Sequence, residues 1–178
     1  MAWQRLARKT IYDTKHLKLY EDTVELESGK VFDDYSVVTV PDSVMIVATT
    51  DKNELIVLTE YKYAVDADVL TLPAGSIDST DGDVVVAARR ELLEETGYDS
   101  DEAEIVEVMN EYPSKFTHTI TVVRIKNAQK IADPKHEVTE SIGSVILLTQ
   151  DYNRSEYKFS YTAVIAALAK TLPEYIIK

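Results

Sequence analysis

Cysteine is absent from the 178 residues. That removes disulfides and thiolate metal sites, so a metal here must be held by oxygen or imidazole. No oxidising compartment is required, and the expected location is the cytosol. Long apolar runs are missing too. The longest, such as Ala163 to Ala169, is far too short to span a bilayer. The basic start Met1-Ala2-Trp3-Gln4-Arg5-Leu6-Ala7-Arg8-Lys9 lacks the apolar stretch of a signal peptide behind it, so no membrane partner is expected. Cations are scarce: 19 Lys and Arg stand against 31 Asp and Glu, a formal charge of -12. Binding to a nucleic-acid backbone needs clustered Lys and Arg that displace counterions, so nucleic acid is excluded as a partner. A small phosphorylated substrate is compatible with this acidity when divalent cations stand between its phosphates and the protein's carboxylates. Internal repeats, low-complexity tracts and obvious linkers are also lacking.

With 45% hydrophobic residues, the chain can bury the core of one compact domain of ordinary size plus a small appended layer. Short alternating segments up to about Val40 read as an antiparallel meander. They include Leu17 and Leu19, Val24 and Leu26, a Ser28-Gly29-Lys30 turn and a run from Tyr35 to Val40. Pro41 breaks the pattern. Val44 to Thr49 and Leu55 to Thr59, separated by Asp51-Lys52-Asn53, read as a hairpin of the main sheet. Leu72 to Asp83, rich in Pro, Gly, Ser and Asp, reads as a loop, with Asp83 placed to cap a helix that runs to about Thr96 and stops at Gly97. Strands are expected at Ile105 to Val108, Thr119 to Ile125 and Ser144 to Leu148, and an apolar helix from about Tyr161 to Leu172. Mixed strands around two helices imply an α/β sandwich with a mixed sheet and an N-terminal antiparallel strand layer.

The chemistry is concentrated in Leu72-Pro73-Ala74-Gly75-Ser76-Ile77-Asp78 and in Ala87-Ala88-Arg89-Arg90-Glu91-Leu92-Leu93-Glu94-Glu95-Thr96-Gly97-Tyr98. Glu91, Glu94 and Glu95 stand at i, i+3 and i+4, so their carboxylates leave one side of the helix. Mg²⁺ prefers oxygen ligands and keeps water and substrate phosphates in its shell, which suits a few carboxylates on a rigid helix. Glutamate-rich helix faces are common, because a like-charged pair on an exposed helix costs only about 0.2–0.5 kcal/mol. The order of residue types separates this segment from such a face: a Gly-bearing loop, a capped helix, an Arg directly before the first Glu, then a Glu pair closed by Gly.

That string resembles the Nudix box: Gly, five residues, Glu, seven residues, then Arg-Glu-apolar-any-Glu-Glu-any-Gly-apolar. The C-terminal half matches from Arg90 through Tyr98, with Tyr where an aliphatic residue is usual. The resemblance implies an α/β/α sandwich over residues 41–178, with residues 1–40 as a dimerisation layer. It also implies hydrolysis of a nucleoside diphosphate derivative. Glu91, Glu94 and Glu95 would bind two or three Mg²⁺ ions, with Mn²⁺ as an alternative, beside the backbone of Ala74 and Gly75. Arg90 would brace loop to helix through an ion pair. Counting back from Arg90 puts Gly82 where the box has its first Glu, so the loop is one residue longer than usual. Asp81 or Asp83 is left as the replacement carboxylate, and turn and N-cap chemistry are equally open to both.

Four further features resemble the ADP-ribose pyrophosphatase branch of that family: the strand layer before Pro41, Glu60-Tyr61-Lys62 for a Gln-Tyr-Arg-like triplet, Leu72-Pro73-Ala74-Gly75, and Pro113 fifteen residues beyond Tyr98. Lys62 and Ser114-Lys115-Phe116 depart from the usual Arg and Ser-Pro-Gly. The branch implies ADP-ribose as substrate, AMP and ribose 5-phosphate as products, and a homodimer. Tyr61, Lys62, Pro113 and Phe116 would lie at the substrate. Glu137 and Glu140, in a downstream acidic loop, are the candidates for general base, and His118 and His136 rank below them as packing or surface groups. The alternatives are another Nudix substrate, such as a nucleoside diphosphate sugar, a dinucleoside polyphosphate or an oxidised nucleoside triphosphate, and a non-catalytic nucleotide sensor.

Overall fold

The computed structural model describes residues 3–136, 138 and 141–177. Its chain falls into two compact units, Met1–Asp42 with Asn110–Thr119, and Ser43–Met109 with Ile120–Lys178.

In the first unit, β1 (Gln4–Asp13), β2 (Lys18–Glu25) and β3 (Val31–Thr39) make an antiparallel sheet in that order. Every residue of β1 is exposed, so no buried face imposed an alternating pattern, and for that reason the strand was not legible in the sequence. Its anchors are the backbone ladder and side-chain pairs across to β2. The Arg8 guanidinium forks onto the buried Asp22 carboxylate with two bonds of 2.7 Å and lies 4.2 Å from the Tyr20 ring centroid. Residues 110–119 belong to this unit because they extend its hydrogen bonding. The Val38 amide donates to the Lys115 carbonyl (2.8 Å), the Thr117 amide to Val38 (3.1 Å), and the Tyr35 hydroxyl to Ser114 (2.6 Å).

The second unit is built on a mixed sheet. β4 (Ser43–Thr50) pairs antiparallel with β5 (Leu55–Lys62) and parallel with β10 (Thr119–Lys130). β5 is flanked by β6 (Ala67–Thr71) and β11 (Ile142–Leu148); β10 carries β8 (Tyr98–Asp99) and β9 (Ala103–Asn110). The expected loop after Leu72 contains a short strand, β7 (Ala74–Ser76), which pairs with the start of β4. Because it covers three residues behind Pro73, it left no periodic signal.

Alternation along β4 explains the sandwich. Val44, Ile46 and Ala48 face Ala87, Ala88 and Leu92 of α1 (Val84–Thr96), while Met45 and Val47 face Ala163, Val164, Ala167 and Leu168 of α2 (Thr162–Thr171). A strand covered on both faces reads as a continuous apolar run, which is what Val44 to Thr49 is. Burying each of these large side chains contributes about 1.5–3 kcal/mol, which sets the platform under α1. Behind α2 the C-terminal turn is tied in by Tyr175, whose buried hydroxyl shares its one proton between the carbonyls of Asn53 (2.9 Å) and Leu148 (3.1 Å). No helix among the described residues is long and apolar enough to cross a membrane.

Both ends of α1 follow the expected chemistry. Asp83 accepts from the Val85 amide at 2.8 Å, which caps the first turn. At the other end Gly97 has φ 78°, donates to Leu93 and accepts from the amides of Ile131 and Ala132. A Cβ on Gly97 would collide with the Ala132 carbonyl, whereas Gly29, also at positive φ, faces open space. Asp81 lies in the loop before the helix, and Arg90 holds its carboxyl below the usual carboxylate range, chiefly by hydrogen bonding.

Two predictions follow from these local constraints. Gly97→Ala is expected to lower stability by more than the ~1–2 kcal/mol of a left-handed alanine, and Gly29→Ala by no more than that amount; equal losses in urea titrations would count against the collision. Because Asp81 stays ionised in the fold where the unfolded chain takes up a proton, its contribution is complete above the unfolded value near ~4 and disappears as pH falls through the lower folded value. The stability gap between wild type and Asp81→Asn should be constant above pH ~5 and close on acidification.

Candidate active site

Helix α1 turns its apolar stripe, Ala87, Ala88 and Leu92, into the core and brings Glu91 and Glu95 to the shoulder beside β7. Both glutamates are buried, at 7% and 3% exposure, and Glu94 is more open, with 43% of its side chain exposed. The Glu95 Oε2 atom accepts the Ala74 amide at 3.0 Å. A Cβ on Gly75 would overlap the Glu91 carboxyl group, so glycine here leaves that carboxyl its place beside the strand.

Arg90 gathers the same region from the side. Its Nε and Nη2 fork onto Asp81 at 2.8 and 2.9 Å, Nη2 also donates to the Ser76 carbonyl at 3.1 Å, and Nη1 donates to Glu91 Oε1 at 2.8 Å and Glu94 Oε2 at 3.1 Å. Asp81 also accepts the Asp78 amide at 2.8 Å, which closes the loop on itself. The two aspartates thus have separate tasks: Asp81 is the partner of Arg90, and Asp83 is the helix cap.

Among the described residues, no three His, Asp or Glu side chains already converge as a finished cation cage; Arg90 stands between Glu91 and Glu94, and the Ala74 amide sits on Glu95. The donor set nevertheless fits a hard cation. It is all oxygen, two of its carboxylates are buried, and Glu94 leaves an open side for water and phosphate. Ionised carboxylates are costly to bury without positive charge beside them.

Ala74 connects these carboxylates to a cavity of about 680 Å³. The polar side of its wall includes Ser43, Glu60, Lys62, Asp68, Thr71 and Tyr161, and Met45, Leu72 and Ile120 form part of the apolar side. Lys62 lines it as expected, paired with the largely buried Glu60 at 2.6 Å. Glu60 was not expected; its position two residues before Lys62, on the same side of β5, was the available signal. Tyr161, at the start of α2, gave no signal.

The other expected residues have their own local contacts. Tyr61 is outside the cavity wall and donates its hydroxyl to Asp66 at 2.7 Å. Pro113 and Phe116 belong to the first unit, where Phe116 packs edge-on against Tyr112. His118, in the same unit, is buried with Nδ1 on the Pro41 carbonyl at 2.8 Å. His136 is exposed and contacts the Glu95 carbonyl at 3.1 Å. Glu137 and Glu140 lie outside the described residues.

Two family models match the chain. Residues 39–159 match the NUDIX domain, and residues 3–38 match the nucleoside diphosphate sugar hydrolase N-terminal domain. The chain is 32% identical over 94 residues to a methanol dehydrogenase activator of Bacillus methanolicus, a match covering 53% of this chain and 50% of that protein, so it spans about half of that relative's length. It is 27% identical over 135 residues to an ADP-ribose pyrophosphatase of Bacillus subtilis (strain 168), covering 76% of this chain and 71% of the relative. A crystal structure described as ADP compounds hydrolase superposes with a TM-score of 0.80 at 20% identity, over 95% of this chain and 91% of that one, and shares its fold. The acidic helix shoulder, the glycine strand against it and the match over residues 39–159 agree: the chain belongs to the Nudix family.

Proposed function

We propose that this chain is an Mg²⁺-dependent hydrolase that cleaves the pyrophosphate bond of a nucleoside diphosphate derivative, with ADP-ribose as its substrate and AMP and ribose 5-phosphate as products. The observation that carries this reading is the placement of Glu91, Glu94 and Glu95 on one helix shoulder, one backbone hydrogen bond from a cavity of about 680 Å³. That volume lies in the range of small-ligand sites. The similarity to the ADP-ribose pyrophosphatase of Bacillus subtilis supports the choice of substrate.

In the reaction, a water oxygen attacks one phosphorus, the bond from that phosphorus to the bridging oxygen breaks, and the electron pair leaves with the second phosphate. Divalent cations, when bound, offset the charge of the diphosphate and acidify water near neutral pH. Glu91, Glu94 and Glu95 would hold two or three of them, with the Ala74 backbone alongside. Gly75 keeps the strand close enough for those carboxylates to stay in place. Lys62 would meet a phosphate from the cavity wall, and the buried Glu60 partner holds its ammonium there. Glu137 or Glu140 would take the proton from water, and Arg90 keeps loop and helix together.

Exposed Leu6, Ile11 and Tyr12 on β1, with exposed Trp3 just before it, leave apolar area open on a sheet of a size that needs covered faces. A homodimer that packs this layer across two copies satisfies that need.

Chromatography of reactions with ADP-ribose and Mg²⁺ should show AMP and ribose 5-phosphate in equal amounts, and chelation should stop their formation. Absence of AMP, with turnover of nucleoside diphosphate sugars or dinucleoside polyphosphates, would move the substrate elsewhere. Glu94→Gln and Glu95→Gln are expected to lower the rate by about 10²–10³-fold; unchanged rates would remove the metal assignment. Light scattering at micromolar concentration should give the mass of a dimer and Leu6→Glu that of a monomer, and a monomeric wild type would end the dimer proposal.

A further inference from the structure

The guanidinium of Arg90 has five N–H donors, and all five are used. They divide into two sets. Nε and Nη2 are bound to the loop, on both oxygens of Asp81 and on the Ser76 carbonyl, while Nη1 alone is bound to the helix carboxylates Glu91 and Glu94. Asp81 is itself fixed, with only 4% of its side chain exposed and the Asp78 amide on its Oδ2. The loop set is therefore an anchor that does not depend on the helix carboxylates.

We propose that Arg90 is a cation placeholder with a divided fork: Nη1 holds Glu91 and Glu94 together in the cation-free protein and yields them when a divalent cation arrives, while the Asp81 anchor keeps the guanidinium in reach. The inference rests on the reading that these glutamates bind divalent cations, and adds to it what occupies them beforehand. Glu91 and Glu94 are one turn apart and Glu91 is buried, so without positive charge they repel each other across a poorly solvated shoulder. Nη1 at 2.8 and 3.1 Å supplies that charge. A divalent cation shared by the same carboxylates would stand a few ångströms from a second cation, which favours exchange over coexistence. Arg90 cannot withdraw by losing its proton, because guanidinium stays charged in proteins. With the planar guanidinium held by the loop, the Glu91 and Glu94 carboxylates turn from Nη1 to the cation at the loss of two bonds out of five, and return when the cation leaves.

A brace and a placeholder differ in how the loss of Arg90 responds to metal. With the full chain, melting temperatures are measured in EDTA and in saturating Mg²⁺ for wild type, Arg90→Gln and Asp81→Ala, and Mg²⁺ uptake by calorimetry. The placeholder predicts that Arg90→Gln melts roughly 5 °C or more below wild type in EDTA and that Mg²⁺ narrows this deficit to about that of Asp81→Ala, since the cation replaces the two Nη1 bonds and not the three to the loop. It also predicts that Asp81→Ala stays low in both, because the cation does not replace the anchor. An Arg90→Gln deficit of the same size in both conditions would overturn the proposal and leave a brace. If that variant does not fold, arginine side-chain ¹⁵N spectra of wild type decide. Mg²⁺ should release the Arg90 Nη1 signal into faster rotation while Nε is retained; an unchanged Nη1 at calorimetric saturation overturns the idea. Failure of the underlying reading looks different, since wild type would then take up no Mg²⁺.

Discussion

The close passage of the Ala74-Gly75 backbone against the carboxyl groups of α1 is the contact on which the rest of the site depends. Glycine at position 75 keeps the Glu91 carboxyl in it, because a Cβ there would push that carboxyl aside. The contact needs a peptide amide aimed at Glu95, which the pairing of Ala74 with Met45 provides. It also needs a helix that does not shift along its axis. Ala87 and Ala88 allow α1 to sit close to β4, and Leu92 locks it sideways against the same strand. Two small residues and one large one thus fix the height at which Glu91, Glu94 and Glu95 emerge.

The sheet beneath carries this because it is loaded from both faces. Met45 and Val47 pack towards α2 with Leu168 and Tyr175 while Val44 and Ile46 pack towards α1. The cavity lies where the lateral support ends: Met45, Leu72 and Ile120 close its apolar side, and Glu60 and Lys62 at the end of β5 bring charge to it. A buried carboxylate beside an ammonium in such a wall is costly unless each satisfies the other. The 2.6 Å contact between them meets that condition and leaves both close to an incoming ligand.

How much of this was legible follows from what each element depends on. The ends of α1 were, because capping is local chemistry: Asp83 supplies an acceptor to the first turn and Gly97 a left-handed stop within a few residues of chain. The doubly covered strands were, because burial on both sides leaves an uninterrupted apolar run. β1 was not, since ten exposed residues carry no imprint of a core. β7 was not, since three residues are too few for a period to show. The partner of Arg90 was narrowed to Asp81 or Asp83, and only the turn closed by Asp78 separates them, by swinging Asp81 back over the helix while Asp83 stays in line with it. The cavity wall draws on β4, β5, β6, β10 and the start of α2, which no local pattern joins.

The identity of residue 90 carries more constraint than its charge. A lysine has three donors on one rotating ammonium and could meet Asp81 or the helix carboxylates, with too few donors to serve the loop and the helix together. The planar fork separates the two tasks by geometry, since Nε and the near edge of Nη2 match the two oxygens of one carboxylate and leave Nη1 pointing along the plane at others. The fit depends on loop length, because Asp81 must present both oxygens to one edge of the fork. The extra loop residue moves the acid one place from where the common spacing puts a glutamate, and an aspartate, one methylene shorter, meets Arg90 from the nearer backbone. Loop length, acid length and arginine geometry therefore change together, and a substitution at any one of the three is felt at the glutamates through Nη1.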